Sequence, residues 1–387
     1  MSNCILPWIS LETTPLGGAR PCCLYTEELP NIDLTTQTLD DAFNSKEMQD
    51  LRRSFRNDEK PDGCERCWME EDAGKKSKRE YMLEKFKDVK VDYDSDTSDT
   101  LQFLDLKLGN ICNLKCRICG SWSSSKWAQE EIAQYGKENI ATEWLSKGSW
   151  PRHSKKFWEH IDTILPTIKY FEFTGGEPFL IKQHFDLLQR AVDKGYSNEI
   201  DIHYNTNGTQ FPKQYEVWKT FKHVQIAFSI DNVGERFEYE RDGANWSNVN
   251  ENIKKFRKLK EQGYPFSFQI CVTWNIQNIY YMKELLQWAE TSGITDIHFN
   301  LMHDPEEFSL SKIPYSSKSK VMLELQKVQV MFPKYADKII PIKKIVTDMQ
   351  GGSDGEALRL KLRNTDLWRG VSFANTHPEI ARLIRYE

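Results

Sequence analysis

Three cysteines stand on one short stretch, Cys112, Cys116 and Cys119, separated by three residues and then by two. Thiolates are ligands for zinc and for iron–sulfur clusters, and both kinds of site ordinarily take four. Three on one loop therefore leave two readings: a zinc site whose fourth ligand comes from elsewhere, or a four-iron cluster with one iron open to something else. A second group, Cys4, Cys22, Cys23, Cys64 and Cys67, lies in the first seventy residues. Cys64 and Cys67 have the spacing of a metal knuckle, and Gly17-Gly18 lets the backbone turn closely before Cys22. Cys4, Cys22, Cys64 and Cys67 fit zinc as well as they fit iron and sulfur. Cys271 stands alone.

These side chains need a frame to hold them. From residue 101 a unit repeats: a β-rich apolar run, a polar loop, an amphipathic helix and a glycine. The runs are 103–108, 170–174, 200–204, 224–230, 266–273 and 297–301. Ile181, Phe185, Leu188 and Val192 fall at helical spacing before Gly195, and the same holds for Val249, Ile253 and Phe256 before Gly263 and for Ile279, Met282, Leu286 and Ala289 before Gly293. Strands alternating with helices predict a parallel sheet, and six units without a GxGxxG turn favour an open α/β barrel. The functional loops then lie at the C-terminal ends of the strands. The three-cysteine loop follows the first run, Thr174-Gly-Gly-Glu-Pro178 the second, Asn205-Thr-Asn-Gly208 the third and Ser229-Ile-Asp231 the fourth, with Asn275 just past the fifth.

Residues 1–90 read as a small loop-rich unit with one helix-like stretch, 39–55, and a thin core that bound metal would stabilise. The basic run 75–79 reads as a solvated linker face. Residues 91–100, acidic and almost free of apolar side chains, read as the linker to a barrel over 101–310. The stretch 121–166 is longer than one crossover helix and holds Trp122, Trp127, Trp144, Trp150 and Trp158, placed for packing or for a substrate wall. Residues 311–387 read as an appended helical layer with a flexible turn at 351–355 and no legible motif.

The 57 acidic and 52 basic residues nearly balance, which excludes the strongly basic footprint of a nucleic-acid binder. The first residues lack the basic and apolar parts of a signal peptide, and no stretch reaches the ~18 apolar residues of a membrane span. A cytoplasmic protein is expected, in which thiols serve metal binding or redox chemistry more than disulfides.

The Cys-x3-Cys-x2-Cys loop, followed about sixty residues later by Gly-Gly-Glu-Pro and each after a strand, resembles the radical S-adenosylmethionine (SAM) superfamily. The resemblance implies a partial (β/α)6 barrel in which Cys112, Cys116 and Cys119 hold a 4Fe-4S cluster and SAM chelates its open iron. Reductive cleavage would then yield a 5′-deoxyadenosyl radical that abstracts hydrogen from a substrate. It further implies that Gly175, Gly176 and Glu177 hold the methionine ammonium, that Asn205, Ser229, Asp231 and Asn275 lie in the cofactor pocket, and that Arg241 faces the methionine carboxylate. For Asn205, Ser229 and Asp231 the alternative is ordinary turn capping, and for Arg241 a surface salt bridge. Ile118 departs from the aromatic residue that often precedes the third cysteine.

The N-terminal cysteines resemble the auxiliary-cluster domains called SPASM and Twitch, here placed before the barrel, and imply a second 4Fe-4S cluster on Cys4, Cys22, Cys64 and Cys67. Cys23 could replace Cys22, although Gly17 and Pro21 favour Cys22. Implied partners are a one-electron reductant such as flavodoxin or ferredoxin and a substrate that is a peptide or protein side chain; a small molecule, sugar or nucleotide precursor is the alternative. Cys271 reads as a core residue or a hydrogen-atom donor, and no His, Tyr or carboxylate stands out as a base. The competing class is a non-catalytic zinc scaffold, which the Gly-Gly-Glu-Pro loop argues against.

Overall fold

The structure, a computed structural model, describes residues 3–72, 74–348 and 355–386. Among them ten strands occur, in chain order β1 (Ser10–Thr13), β2 (Ala19–Arg20), β3 (Phe103–Leu106), β4 (Lys115–Cys116), β5 (Tyr170–Phe173), β6 (Asp201–Thr206), β7 (His223–Ser229), β8 (Arg241–Asp242), β9 (Phe266–Trp274) and β10 (Ile297–Leu301). The six expected runs are β3, β5, β6, β7, β9 and β10, each within two residues of its expected ends. They lie side by side in that order, every pairing parallel. The sheet is not closed: β10 forms one edge and β2 the other, as a partial barrel requires.

Period-two alternation separates the two faces of the sheet. In β6, Ile202, Tyr204 and Thr206 are buried toward the helices while His203 and Asn205 face the barrel interior, half-exposed. Helices Lys182–Asp193, Trp246–Glu261 and Met282–Ser292 cover the outer face where the apolar spacing predicts them. Phe173, Phe179, Tyr204, Trp218, Phe256 and Phe266 interlock there with ring centroids 5–6 Å apart. Each such side chain contributes roughly 1.5–3 kcal/mol by burial, so this layer holds the strand ends in register.

The N-terminal unit departs from expectation in three ways. First, its strand β1 pairs in parallel with β3 across the linker, so the unit and the barrel share one sheet and one core. Second, four helices lie between residues 39 and 85 where one stretch was expected: Leu39–Phe43, Lys46–Arg56, Glu65–Asp72 and Lys78–Lys85. The stretch 39–55 breaks at Asn44-Ser45 because Ser45 caps the second helix, accepting from the Met48 N–H. Third, the basic run 75–79 is not a solvated face. Lys78 is largely buried against the barrel interior, donating to Cys23 Sγ at 2.9 Å and to Glu172 at 3.3 Å, and Arg79 pairs with Glu71 at 2.7 Å. Helix Lys78–Lys85 leads into Phe86, which stacks on Phe103 and meets Tyr170 edge-on, stoppering the N-terminal mouth of the barrel.

The acidic linker is tied down as well. Asp96 binds Arg53 and Arg56, its carbonyl accepts from Arg52, and Ser98 donates to the Trp8 carbonyl. Helices Tyr315–Met331, Ala336–Asp348 and Glu356–Arg369 and two short ones form the C-terminal layer. Residues 351–354 of the expected glycine-rich turn lie outside the described residues. Among the described residues no helix is long and apolar enough to cross a membrane.

Candidate active site

The loop after β3 is pinned on both sides. Asn110 donates from its amide to the carbonyls of Ser121 and Trp144, and Ser124 and Ser125, at the start of helix Ser125–Tyr135, donate to the carbonyls of Leu114 and Cys112. Cys116 lies in β4, which pairs antiparallel with β8 so that Cys116 stands opposite Arg241. The Cys119 N–H donates to the Cys116 carbonyl. Cys116 is buried, and burial pushes the Cys112 thiol up to about 12. Binding a metal group here therefore releases thiol protons.

Gly175 and Gly176 have φ of +72° and +59°, and a Cβ on Gly176 would lie 2.5 Å from the Ile111 carbonyl oxygen. The pair lets the loop after β5 press against the start of the cysteine loop, where the Glu177 N–H donates to Ile111 at 2.8 Å. Glu177 is fully buried. Its Oε1 accepts from the Phe179 N–H (3.1 Å) and the Thr206 hydroxyl (2.7 Å), and its Oε2 from the Asn207 N–H (2.8 Å). Burial raises its pKa to about 7 against these donors. The carboxylate is thus a strut between the ends of β5 and β6, and Oε2, with one donor, keeps a lone pair for another. Asn207 completes the junction, donating to Asn113 Oδ1 at 3.1 Å and lying 3.9 Å from Cys112 Sγ.

Arg241 is buried, not on the surface. Its Nη2 donates to Asp231 at 2.6 Å, and its Nη1 lies 3.8 Å from Cys116 Sγ. Asp231 also accepts from the Thr273 N–H at 2.8 Å, linking the ends of β7 and β9. Asn275 is buried and occupied in its own turn, donating to the Thr273 carbonyl and accepting from the Gln277 N–H. Asn205 and Ser229 are half-buried on the interior face, Ser229 opposite Cys271 in the register. The Cys271 thiol accepts from Asn300 at 3.2 Å, and burial pushes it up to about 12.

Within the loop Asn205-Thr-Asn-Gly208 the sequence singles out Asn205, whereas the residues that bond to Glu177 are Thr206 and Asn207. Asp105, Glu172 and His203 were missed too. They lie in register on the interior face of β3, β5 and β6, a polar wall below the cysteine loop. Asp105 is pushed up to about 7 by burial and by the neighbouring Glu172 charge.

In the second cysteine group, Cys4, Cys22 and Cys64 are pushed up first by burial and then by the fields of neighbouring cysteines, Cys67 among them. Cys23 turns the other way, toward Lys78, Asp105 and Glu172. The chemistry of both donor sets, soft thiols with a cation beside each (Arg241 for one, Arg79 for the other), suits anionic iron–sulfur clusters. Among the described residues no three His, Cys, Asp or Glu side chains are gathered tightly enough to hold a single metal ion.

A family model described as the radical SAM superfamily matches residues 106–289, and one described as the SPASM iron-sulfur cluster-binding domain matches residues 4–68. The chain is 25% identical over 231 residues to the radical SAM cyclopropyl synthase TigE of Paramaledivibacter caminithermalis, an alignment covering 56% of this chain and 46% of that protein. It is 25% identical over 222 residues to the uncharacterized protein MJ0907 of Methanocaldococcus jannaschii, covering 56% and 68%. The chain thus spans about half the length of the first of these relatives. Among solved structures, anSMEcpe with bound AdoMet aligns with a TM-score of 0.42 at 18% identity over 61% of each chain. Streptococcus suis SuiB bound to S-adenosylmethionine aligns with a TM-score of 0.36 at 16% identity, over 61% of this chain and 44% of that one.

Proposed function

The chain belongs to the radical SAM superfamily of enzymes, with a SPASM iron–sulfur domain ahead of the barrel, and from that premise we propose that it modifies a peptide or protein side chain by hydrogen abstraction. Cys112, Cys116 and Cys119 would hold a 4Fe-4S cluster by three corners, and Cys4, Cys22, Cys64 and Cys67 a second, auxiliary one. When bound, the first cluster and SAM supply a hydrogen-atom abstractor, given one electron from a carrier such as flavodoxin or ferredoxin. The chain's own residues orient and enclose that chemistry. The Gly175–Glu177 turn offers backbone carbonyls and the Glu177 Oε2 lone pair to an ammonium. Arg241, held by Asp231, sets a fixed positive charge beside Cys116 and would face a carboxylate. Asn205 and Ser229 present polar groups on the interior face for the ribose.

The observation that carries the reading is convergence: the loops after β3, β5, β6 and β7 bond directly to one another around the three thiols. The match of residues 4–68 to an iron–sulfur cluster-binding domain supports an oxidative or electron-accepting role for the second cluster. Cys271, opposite Ser229 in the register, would be the hydrogen-atom donor to a substrate radical. The experiment is anaerobic reconstitution with iron and sulfide, then dithionite and SAM. Cys116→Ala is expected to abolish 5′-deoxyadenosine formation, while Cys67→Ala keeps some and loses modified product. A wild-type protein that takes up no iron and never forms 5′-deoxyadenosine would sink the proposal. Mass-difference profiling of cells with and without the protein separates a peptide from a small-molecule substrate.

A further inference from the structure

The C-terminal layer, silent as sequence, reaches into the cysteine loop. Helix Glu356–Arg369 presents Asp366 and Arg369, one turn apart, to opposite sides of Cys116. Asp366 Oδ1 accepts from Arg117 Nη2 and from the Tyr239 hydroxyl, both at 2.6 Å. Its Oδ2 accepts from the Phe373 N–H at 2.6 Å and the Tyr386 hydroxyl at 2.7 Å. Arg117, between Cys116 and Cys119 in the chain, is buried. Its Nε donates to the Tyr239 carbonyl at 3.2 Å, its backbone N–H to the Glu240 carbonyl at 2.8 Å, and its guanidinium lies 3.7 Å from the Tyr239 ring centroid.

On the other side, Arg369 donates to the Lys115 carbonyl at 2.9 Å and to Glu130 at 2.8 Å, and Glu130 also binds the Lys115 ammonium. The Arg369 guanidinium lies over Trp127, whose indole N–H donates to the Cys116 carbonyl at 2.7 Å. A third contact comes from His377, fully buried, at 2.9 Å from Glu240, the residue before Arg241.

A buried carboxylate–guanidinium pair gains little over apolar side chains of the same size, because desolvation offsets most of the attraction. What it adds is direction. Four donors on one carboxylate fix the relative position of three segments in a way that apolar packing does not.

We propose that helix Glu356–Arg369 is a clamp on the cluster loop, with Asp366 and Arg369 as positioning residues that hold the Cys116 thiol toward Cys112 and Cys119. The clamp rests on the reading of those thiols as ligands of one cluster. The auxiliary cluster is the internal control, because the bonds of Asp366 and Arg369 described above reach none of its proposed ligands, Cys4, Cys22, Cys64 and Cys67.

The test uses the full chain bearing Asp366→Asn or Arg369→Ala, reconstituted anaerobically, desalted, and examined by iron content and by electron paramagnetic resonance after dithionite. Wild type is expected to hold about eight irons, and each variant about four, having kept the auxiliary cluster and lost the signal that shifts on adding SAM. Tyr386→Phe, which removes one donor and leaves the Arg117 contact, is expected to hold about eight. Variants that keep both clusters and the SAM-responsive signal would overturn the clamp while leaving the proposed function standing. Loss of both clusters together in the two variants would overturn it as well, since the helix would then be general scaffold. Failure of the wild type itself to take up iron would remove the proposed function first.

Discussion

Gly176 has no room for a side chain. Its positive φ and the Ile111 carbonyl 2.5 Å from an added Cβ mean that Gly176→Ala must push the loop after β5 away from the cysteine loop. The expected loss is about 1–3 kcal/mol in denaturant unfolding, with a larger proportional loss in SAM binding by calorimetry. His184 supplies a pH prediction away from the thiols. It is buried with its Nε2 2.5 Å from the Tyr204 hydroxyl, and burial holds its pKa down at about 3. The unfolded chain binds a proton near pH 6.5 that the native protein refuses. Stability from this group is therefore full above about pH 6.5 and falls as pH drops toward 3, by about 2 kcal/mol at pH 5. His184→Asn should shrink the difference between unfolding midpoints at pH 7.5 and pH 5; an unchanged difference would show that His184 does not set it.

At the scale of elements, Arg52 shows how the linker is fastened. Fully buried on helix Lys46–Arg56, it donates to the carbonyls of Pro7, Phe43 and Asp96 and to Asn44. Arg52→Met leaves the Pro7 and Phe43 carbonyls buried and without this donor, at about 1–3 kcal/mol each, so a loss of at least about 2 kcal/mol is expected by chemical denaturation. The six parallel strands β3, β5, β6, β7, β9 and β10 and the helices Lys182–Asp193, Trp246–Glu261 and Met282–Ser292 were legible because apolar periodicity is local. So were the three thiols and the Gly-Gly-Glu turn, whose meaning lies in spacing. The burial of Lys78 was not, because its partners Asp105 and Glu172 are supplied by β3 and β5, beyond the linker. Without them a lysine in a basic run reads as solvated. Asp366 and Arg369 were hidden for the same reason: each looks like an ordinary surface charge until Arg117, Glu130 and Trp127 are folded against it.

Across the whole molecule, the N-terminal unit is not detachable. It covers the β3 edge with β1 and fills the barrel mouth with helix Lys78–Lys85 and Phe86. A chain beginning at residue 101 would expose an unpaired parallel edge and an open apolar mouth. It is expected to be largely insoluble on expression, and its soluble fraction measured beside the full chain decides the matter. A soluble, folded fragment would mean that the shared sheet is dispensable.

The same β1–β3 pairing bears on how the protein is made. On the ribosome β1 emerges before β3, with only the two-residue β2 beside it, and its parallel neighbour follows about ninety residues later. At ordinary synthesis rates the hairpin waits for several seconds with one edge bare, much longer than a helix or hairpin takes to form. By the end of that interval the five N-terminal cysteines are out, while the three of the second loop are still to come. The order of translation thus gives the unit time to be loaded or chaperoned before the barrel closes over Lys78, and slowing or speeding that passage should alter the yield of folded protein more than its final stability.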